Sequence, residues 1–99
     1  MWAQLIKSRI KPGKEEEVRN LPQEFDSQMG GGQPGFVAMY SCTNQHDPSE
    51  SYTLVVFESE EAARQNESGP EQAKRFERLQ ELFDQPEYVD LNVEYHQTR

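Results

Sequence analysis

Residues 57–76 read FESEEAARQNESGPEQAKRF, and this stretch contains two helix starts in succession. Ser59 is placed to cap a first helix, with Glu60 and Glu61 in the turn where the helix dipole favours acids. Ala62 and Ala63 give that helix a thin apolar face. Ser68 and Glu71 then form an S-x-x-E capping box, with Pro70 in the first turn of a new helix. Ala73, Phe76, Leu79 and Phe83 make its buried stripe, with Leu82 beside it, and Pro86 ends it. The stretch predicts a short helix, a break from Glu67 to Gly69, and a longer amphipathic helix.

The segments on either side alternate. In WAQLIKSRI, Trp2, Gln4, Ile6, Ser8 and Ile10 fall on one face, and Ala3, Leu5, Lys7 and Arg9 on the other. This predicts a strand to about Lys11, closed by Pro12-Gly13. KEEEVRNLPQEFDSQM carries Val18, Leu21, Phe25 and Met29 at helical spacing, with Glu15 to Glu17 in its first turn. Pro22 is expected to kink or interrupt this helix. GGGQPG reads as a helix cap and turn. It does not read as a phosphate cradle, since no strand precedes it and no Lys-Ser/Thr follows.

FVAMYSCT and SYTLVVFE are rich in aromatic and β-branched residues and read as strands, joined by NQHDPSE as a long hairpin loop. Phe36, Ala38, Tyr40 and Cys42 are expected on one face of the first, with Val37 and Met39 opposite. Tyr52, Leu54 and Val56 oppose Val55 and Phe57 in the second. YVDLNVEYH is a last strand, with Val89, Leu91, Val93 and Tyr95 inward and Asp90, Asn92 and Glu94 outward. The order is βαββαβ: an α+β, ferredoxin-like subunit whose four-stranded antiparallel sheet carries its helices on one face. The central strands have apolar groups for both faces, so the uncovered face is an association surface, and a homodimer of two face-to-face sheets is expected.

Length and composition set limits. Ninety-nine residues make one domain, taken as 1–99. The net charge is −8, and the basic residues are interleaved with acids, which argues against nucleic acid and anionic membranes as partners. One cysteine, Cys42, excludes an intrachain disulfide and fits a cytoplasmic protein. No apolar run is long enough to span a bilayer, and MWAQLIKSRI lacks a signal peptide's apolar stretch. His46 and His96 are far apart in sequence and no ligand-spaced cluster accompanies them, so no metal is expected. Cys42 has no base beside it and no nucleophile elbow is present.

Taken in order, RIKPGKEEEV, PGFVAMYSC, VVFESEEAARQNESGPEQAKRFERL and PEYVDLNVEYH resemble the antibiotic-biosynthesis-monooxygenase-like (ABM) proteins over nearly the whole chain. The resemblance implies a dimeric α/β barrel. It also implies one of three roles: oxygenation of polycyclic aromatic or quinol substrates without metal or flavin, haem-ring opening, or no known reaction. The haem-degrading branch uses an asparagine, a tryptophan and a histidine at positions that correspond here to Ile6, Asn66 and Phe76. None of the three is kept, and Phe76 cannot ligate iron, so haem degradation is disfavoured.

The same comparison places Ile6 toward a pocket between sheet and helices. Gln4 and Ser8 share its strand face by alternation, and Asn66 and Phe76 come from the helix break, which makes Gln4, Ile6, Ser8, Asn66 and Phe76 the candidate binding residues. Gln4, Ser8 and Asn66 would hydrogen-bond a phenol or quinone oxygen. Tyr40, Tyr52 or His96 would aid proton movement, and no catalytic base is assigned. Ile6 and Phe76 equally suit plain core packing. The expected function is that of a monooxygenase-like protein with no cofactor, acting on a small aromatic or quinol compound. The alternative is a non-catalytic ligand-binding or stress-related protein of the same fold.

Overall fold

The computed structural model describes residues 1–29, 34–68 and 70–99, with the side chains of 25–29, 70 and 71 left aside. The expected positions of Phe25, Met29, the glycine triplet and the Glu71 half of the capping box lie outside the described residues or side chains. The elements run β1 (Trp2–Ile10), α1 (Glu15–Met29), β2 (Phe36–Asn44), β3 (Asp47–Phe57), α2 (Glu60–Glu67), α3 (Pro70–Leu82) and β4 (Phe83–Asn92). All strand pairs are antiparallel and the sheet order is β2-β3-β1-β4. This is the expected ferredoxin-like α+β fold, and the helix after β3 is divided where the sequence divides it.

Register settles which side chains share a face, because directly paired residues project to the same side. Trp2, Gln4 and Ile6 of β1 pair with Phe57, Val55 and Thr53 of β3, and with Asn92, Asp90 and Tyr88 of β4. This is the helix-facing side. Trp2 and Phe57 pack there with Ala63 of α2, Val55 and Ala62 join them, and Phe36 meets Phe57 edge-on at 5.8 Å. Ala3, Leu5 and Lys7 share the opposite side with Val56, Leu54 and Tyr52, and with Leu91, Val89 and Glu87. Ala38, Tyr40 and Cys42 of β2 join that second side. It is a broad, largely apolar face, on which Tyr40, Val89 and Leu91 stand exposed.

Several expectations are corrected by the pairing. Val89 and Leu91 do not point into the helix-covered core but lie on the other side. Asp90, expected outward, faces the helices because it pairs with Gln4. β4 ends at Asn92, so Tyr95 lies beyond it and is exposed. In β2, Phe36 pairs with Phe57 while Ala38 pairs with Val56. Val37 is the extra residue of a bulge, which separates Phe36 from the face of Ala38.

The hairpin between β2 and β3 is tight rather than long. The Asn44 side-chain oxygen accepts the His46 N–H at 2.8 Å, leaving Gln45 and His46 as the turn. Asp47 already belongs to β3. It accepts from the Ser49 N–H and hydroxyl and from Arg9 of β1. The bonds from Ser49, and then that from Arg9, hold its carboxyl below the usual range.

Pro22 does not interrupt α1, which runs through it from Glu15 to Met29. Leu21 beside it is buried. Ser59 caps α2 as expected, its hydroxyl accepting from the Ala62 N–H at 3.1 Å. Ser68 closes α2 rather than opening α3: its hydroxyl donates to the Gln65 carbonyl at 2.8 Å.

The buried side of α3 also differs from the expected stripe. Leu82 is 0% exposed while Phe76 is 50% exposed. Gln72, Arg75, Leu79 and Leu82 form the inner row, and Ala73 and Phe76 lie to its side. Phe83 is the first residue of β4, so α3 ends before Pro86 is reached. The Leu82 carbonyl accepts from the Lys11 N–H, and the Lys11 ammonium reaches the Gln80 carbonyl. These bonds tie the end of α3 to the end of β1 and fix the helix's rotation about Leu82. Pro86 lies inside β4, next to Gln85, whose φ is +55°. The shift in pairing between Lys7 and Arg9 places both in a bulge on the outer strand. Arg78 of α3 pairs with Glu24 of α1 at 3.2 Å and joins the two longer helices.

The inner row gives a direct test. Leu82→Ala should destabilise the fold by about 2–5 kcal/mol, the cost of a cavity at a fully buried leucine. Phe76→Ala should cost under about 1 kcal/mol, as for exposed sites. Chemical denaturation of the two variants measures both, and the reverse order would restore the stripe centred on Phe76.

Candidate functional site

The helix-facing side of β1 is unevenly covered. Trp2 at one end is 6% exposed and Ile10 at the other is 5% exposed. Gln4, Ile6 and Ser8 between them are all half-buried. Two sealed ends thus flank a middle stretch that the helices do not close. By register, Thr53 and Val55 border it on β3, and Tyr88 and Asp90 on β4.

α2 lies over the Trp2 end. Gly35, just before β2, permits its close approach. Gly35 has φ +79°, and a Cβ there would come within 2.6 Å of the Ala62 Cβ. Its carbonyl accepts the Glu58 N–H at 2.8 Å. A side chain at position 35 would lift α2 and strain the backbone. Asn66 follows Ala62 and Ala63 at helical spacing, so it shares their sheet-facing side, and it is half-buried.

Arg64 projects from the same helix over Trp2, with its guanidinium carbon 5.3 Å from the ring centroid. It contacts Glu67 at 3.0 Å, Glu60 at 3.3 Å and Asp90 at 3.0 Å. The bond from Glu67, followed by those from Glu60 and Asp90, favours its charged form further. The other oxygen of Asp90 accepts from the Gln4 amide at 3.0 Å. One carboxylate therefore links the end of β1 to α2.

Of the residues singled out in the sequence, Gln4, Ile6, Ser8 and Asn66 are half-buried on the surfaces that face one another. Phe76 is exposed on α3, outside its inner row. The proposed proton movers are placed elsewhere. Tyr40 and Tyr52 belong to the uncovered face of the sheet, and His96 is exposed beyond β4. Tyr52 donates to Glu50, which raises its pKa. Cys42 is exposed on the uncovered face. Among the described residues, no group of three His, Cys, Asp or Glu side chains is arranged to hold a metal, and no helix is long and apolar enough to cross a membrane.

Tyr88, Asp90 and Arg64 border the candidate site, and the sequence alone does not single them out. Alternation in β4, taken with Val89 and Leu91 as the core set, sends Tyr88 and Asp90 outward. Anchoring that alternation on the pairing with Gln4 and Ile6 reverses it. No sequence periodicity singles out Arg64, which reads as an ordinary charge on an exposed helix side.

Residues 1–78 match the sequence profile of the antibiotic biosynthesis monooxygenase family. The chain belongs to this family. The ABM fold extends to solved structures of low identity. A protein of Deinococcus radiodurans aligns with a TM-score of 0.80 at 9% identity, covering 100% of this chain and 98% of that one. SnoaB, a cofactor-independent oxygenase from Streptomyces nogalater, aligns with a TM-score of 0.75 at 16% identity, covering 96% and 94%. A conserved protein from Methanosarcina mazei aligns at 0.76 and 18% identity, covering 92% and 91%. No curated protein matches this ABM chain. At these identities the structural likeness speaks to the fold alone.

The seating of α2 depends on position 35. Gly35→Ala should destabilise the chain by at least roughly 1–2 kcal/mol, the cost of a left-handed backbone at a residue with a Cβ. It should also loosen Trp2 from Ala63. A lower melting temperature with a red shift of the emission of the single tryptophan would show both effects, and an unchanged spectrum would refute the close approach.

Proposed function

We propose that this ABM-family protein is a cofactor-independent monooxygenase acting on a small aromatic or quinol compound, bound along the open middle of β1. The uneven burial of that strand carries the reading: Gln4, Ile6 and Ser8 are half-buried between sealed ends, with Asn66 on the helix above. Small-molecule sites combine apolar walls with a few polar groups, and these residues supply both. Phe76 would stand at the rim as an exposed aromatic side chain.

Oxygenation without a cofactor requires an electron-rich substrate. Losing a proton gives a carbanion or phenolate, which supplies its own electrons to dioxygen. The protein's part is to exclude water, orient the ring and help remove the proton. Ile6 and Val55 would provide apolar surface, while Gln4, Ser8 and Asn66 would provide hydrogen bonds. A non-catalytic role in ligand binding or stress is the second reading. The placement of Tyr40, Tyr52 and His96 away from the open stretch favours it, because it leaves the proton acceptor unassigned.

Dioxygen uptake over a panel of quinols and polyphenols distinguishes the two. Uptake lost in Ser8→Phe and Asn66→Phe, with folding intact by circular dichroism, supports the enzyme. Saturable binding of the same compounds without uptake supports the second reading.

Residues 1–99 would act as one domain in a homodimer formed by the uncovered sheet face. Leu5, Leu54 and Val56 lie near its centre, and Tyr40, Val89 and Leu91 leave apolar surface in water. Such a face on a small chain is stabilised by a partner. The wild type should sediment as a dimer at micromolar concentration, and Leu54→Glu should sediment as a monomer. A monomeric wild type would refute the assembly.

A further inference from the structure

The direction of one amide is fixed by the groups around it. Asp90 accepts from Gln4 Nε2 through Oδ1 and from Arg64 Nη2 through Oδ2, each at 3.0 Å. An ionised carboxylate only accepts hydrogen bonds, so it can face only the NH2 end of the Gln4 amide. The carbonyl oxygen of Gln4 is thereby turned away from Asp90. No described residue donates to that oxygen. Gln4 is half-buried, and a half-buried acceptor without a protein donor is met by water or a ligand.

Arg64 keeps Asp90 in this role. It is itself held between Glu60 and Glu67 on α2, and it lies over the Trp2 ring beside Gln4. The carboxylate is therefore gripped from the helix side and presented to the strand in one orientation.

We propose that Arg64 and Asp90 are positioning residues that hold Gln4 as a hydrogen-bond acceptor, so that the open stretch selects aromatic compounds bearing a hydroxyl over the same compounds lacking a donor. The inference rests on the binding site proposed above and adds the group that discriminates among ligands. A hydroxyl donor satisfies the Gln4 oxygen. A methyl ether or a ketone set against that oxygen brings only an acceptor and leaves two acceptors facing each other, so the hydrogen bond is lost.

Calorimetric titration of a naphthol and its methyl ether into the full-length protein tests this. The wild type should bind the naphthol about tenfold more tightly, the equivalent of one well-placed hydrogen bond. Asp90→Asn lets the Gln4 amide turn either way, and the preference should fall to within roughly threefold, mainly through weaker naphthol binding. In a Gln4→Met background, Asp90→Asn should change nothing further, the signature of a residue that acts through Gln4. Arg64→Met leaves the carboxylate in place but less firmly held, so only part of the preference should go. Asp90→Leu, which removes the acceptor that orients Gln4, replaces Asp90→Asn if that variant fails to fold.

Equal weakening of both ligands, or an unchanged preference, overturns the positioning role. If wild-type binding is still lost in Ser8→Phe, the site itself survives that result. Failure of the wild type to bind either compound overturns the site and the positioning role together.

Discussion

Trp2 starts a central strand that hydrogen-bonds to β3 on one side and β4 on the other. That double pairing decides the rest. With β1 in the middle, its alternation is imposed on both neighbours, and each side chain of three strands is assigned to one of two faces. One face receives the helices and contains the Trp2–Phe57–Ala63 cluster. The other carries an apolar set of its own and no helix. Both the candidate site and the open apolar face follow from this division, since they are the two faces of one sheet.

The fold was legible because its signals are local. Ser59 caps a helix where the sequence says it should, and the alternation in β1 is read correctly from Trp2 to Ile10. What failed depended on relations between elements. Phe76 looks like a core residue by type and spacing, but the rotation of α3 is set at its far end, where Leu82 is bonded through its carbonyl to Lys11. Val89 and Leu91 look like the inner side of β4 because they are its aliphatic residues. They belong to the sheet's open face instead, and a single sequence cannot distinguish an apolar residue that meets a helix from one on the face the helices leave uncovered. The hairpin loop looks longer in the sequence than it is for a similar reason. Asn, Asp, Pro and Ser are turn residues by propensity, yet Arg9 holds Asp47 in the sheet. The candidate site was half legible. Gln4, Ile6, Ser8 and Asn66 emerge from alternation and resemblance, whereas Asp90 and Arg64 depend on a register that only the folded chain displays.

Two arginines each gather more than one acid. Arg64 gathers Glu60, Glu67 and Asp90, and Arg78 gathers Glu24 and Glu81. Surface ion pairs taken singly contribute little. Here their value lies in where they reach. Arg78 crosses from α3 to α1, and Arg64 crosses from α2 to the outer strand. Among the described side chains few large ones are buried under the helices, and such crossings do part of the work of placing them.

The bulge in β4 has a consequence for how copies of this chain meet. β4 is an outer strand, and an outer strand offers unpaired backbone groups on which another chain can extend the sheet. Gln85 at φ +55° and Pro86, which has no N–H, interrupt that row midway. A strand from a neighbouring molecule would find a broken ladder there, and fibril-like growth along that side is obstructed. The defect in one strand thus works against open-ended stacking along that edge without disturbing the sheet's broad open side.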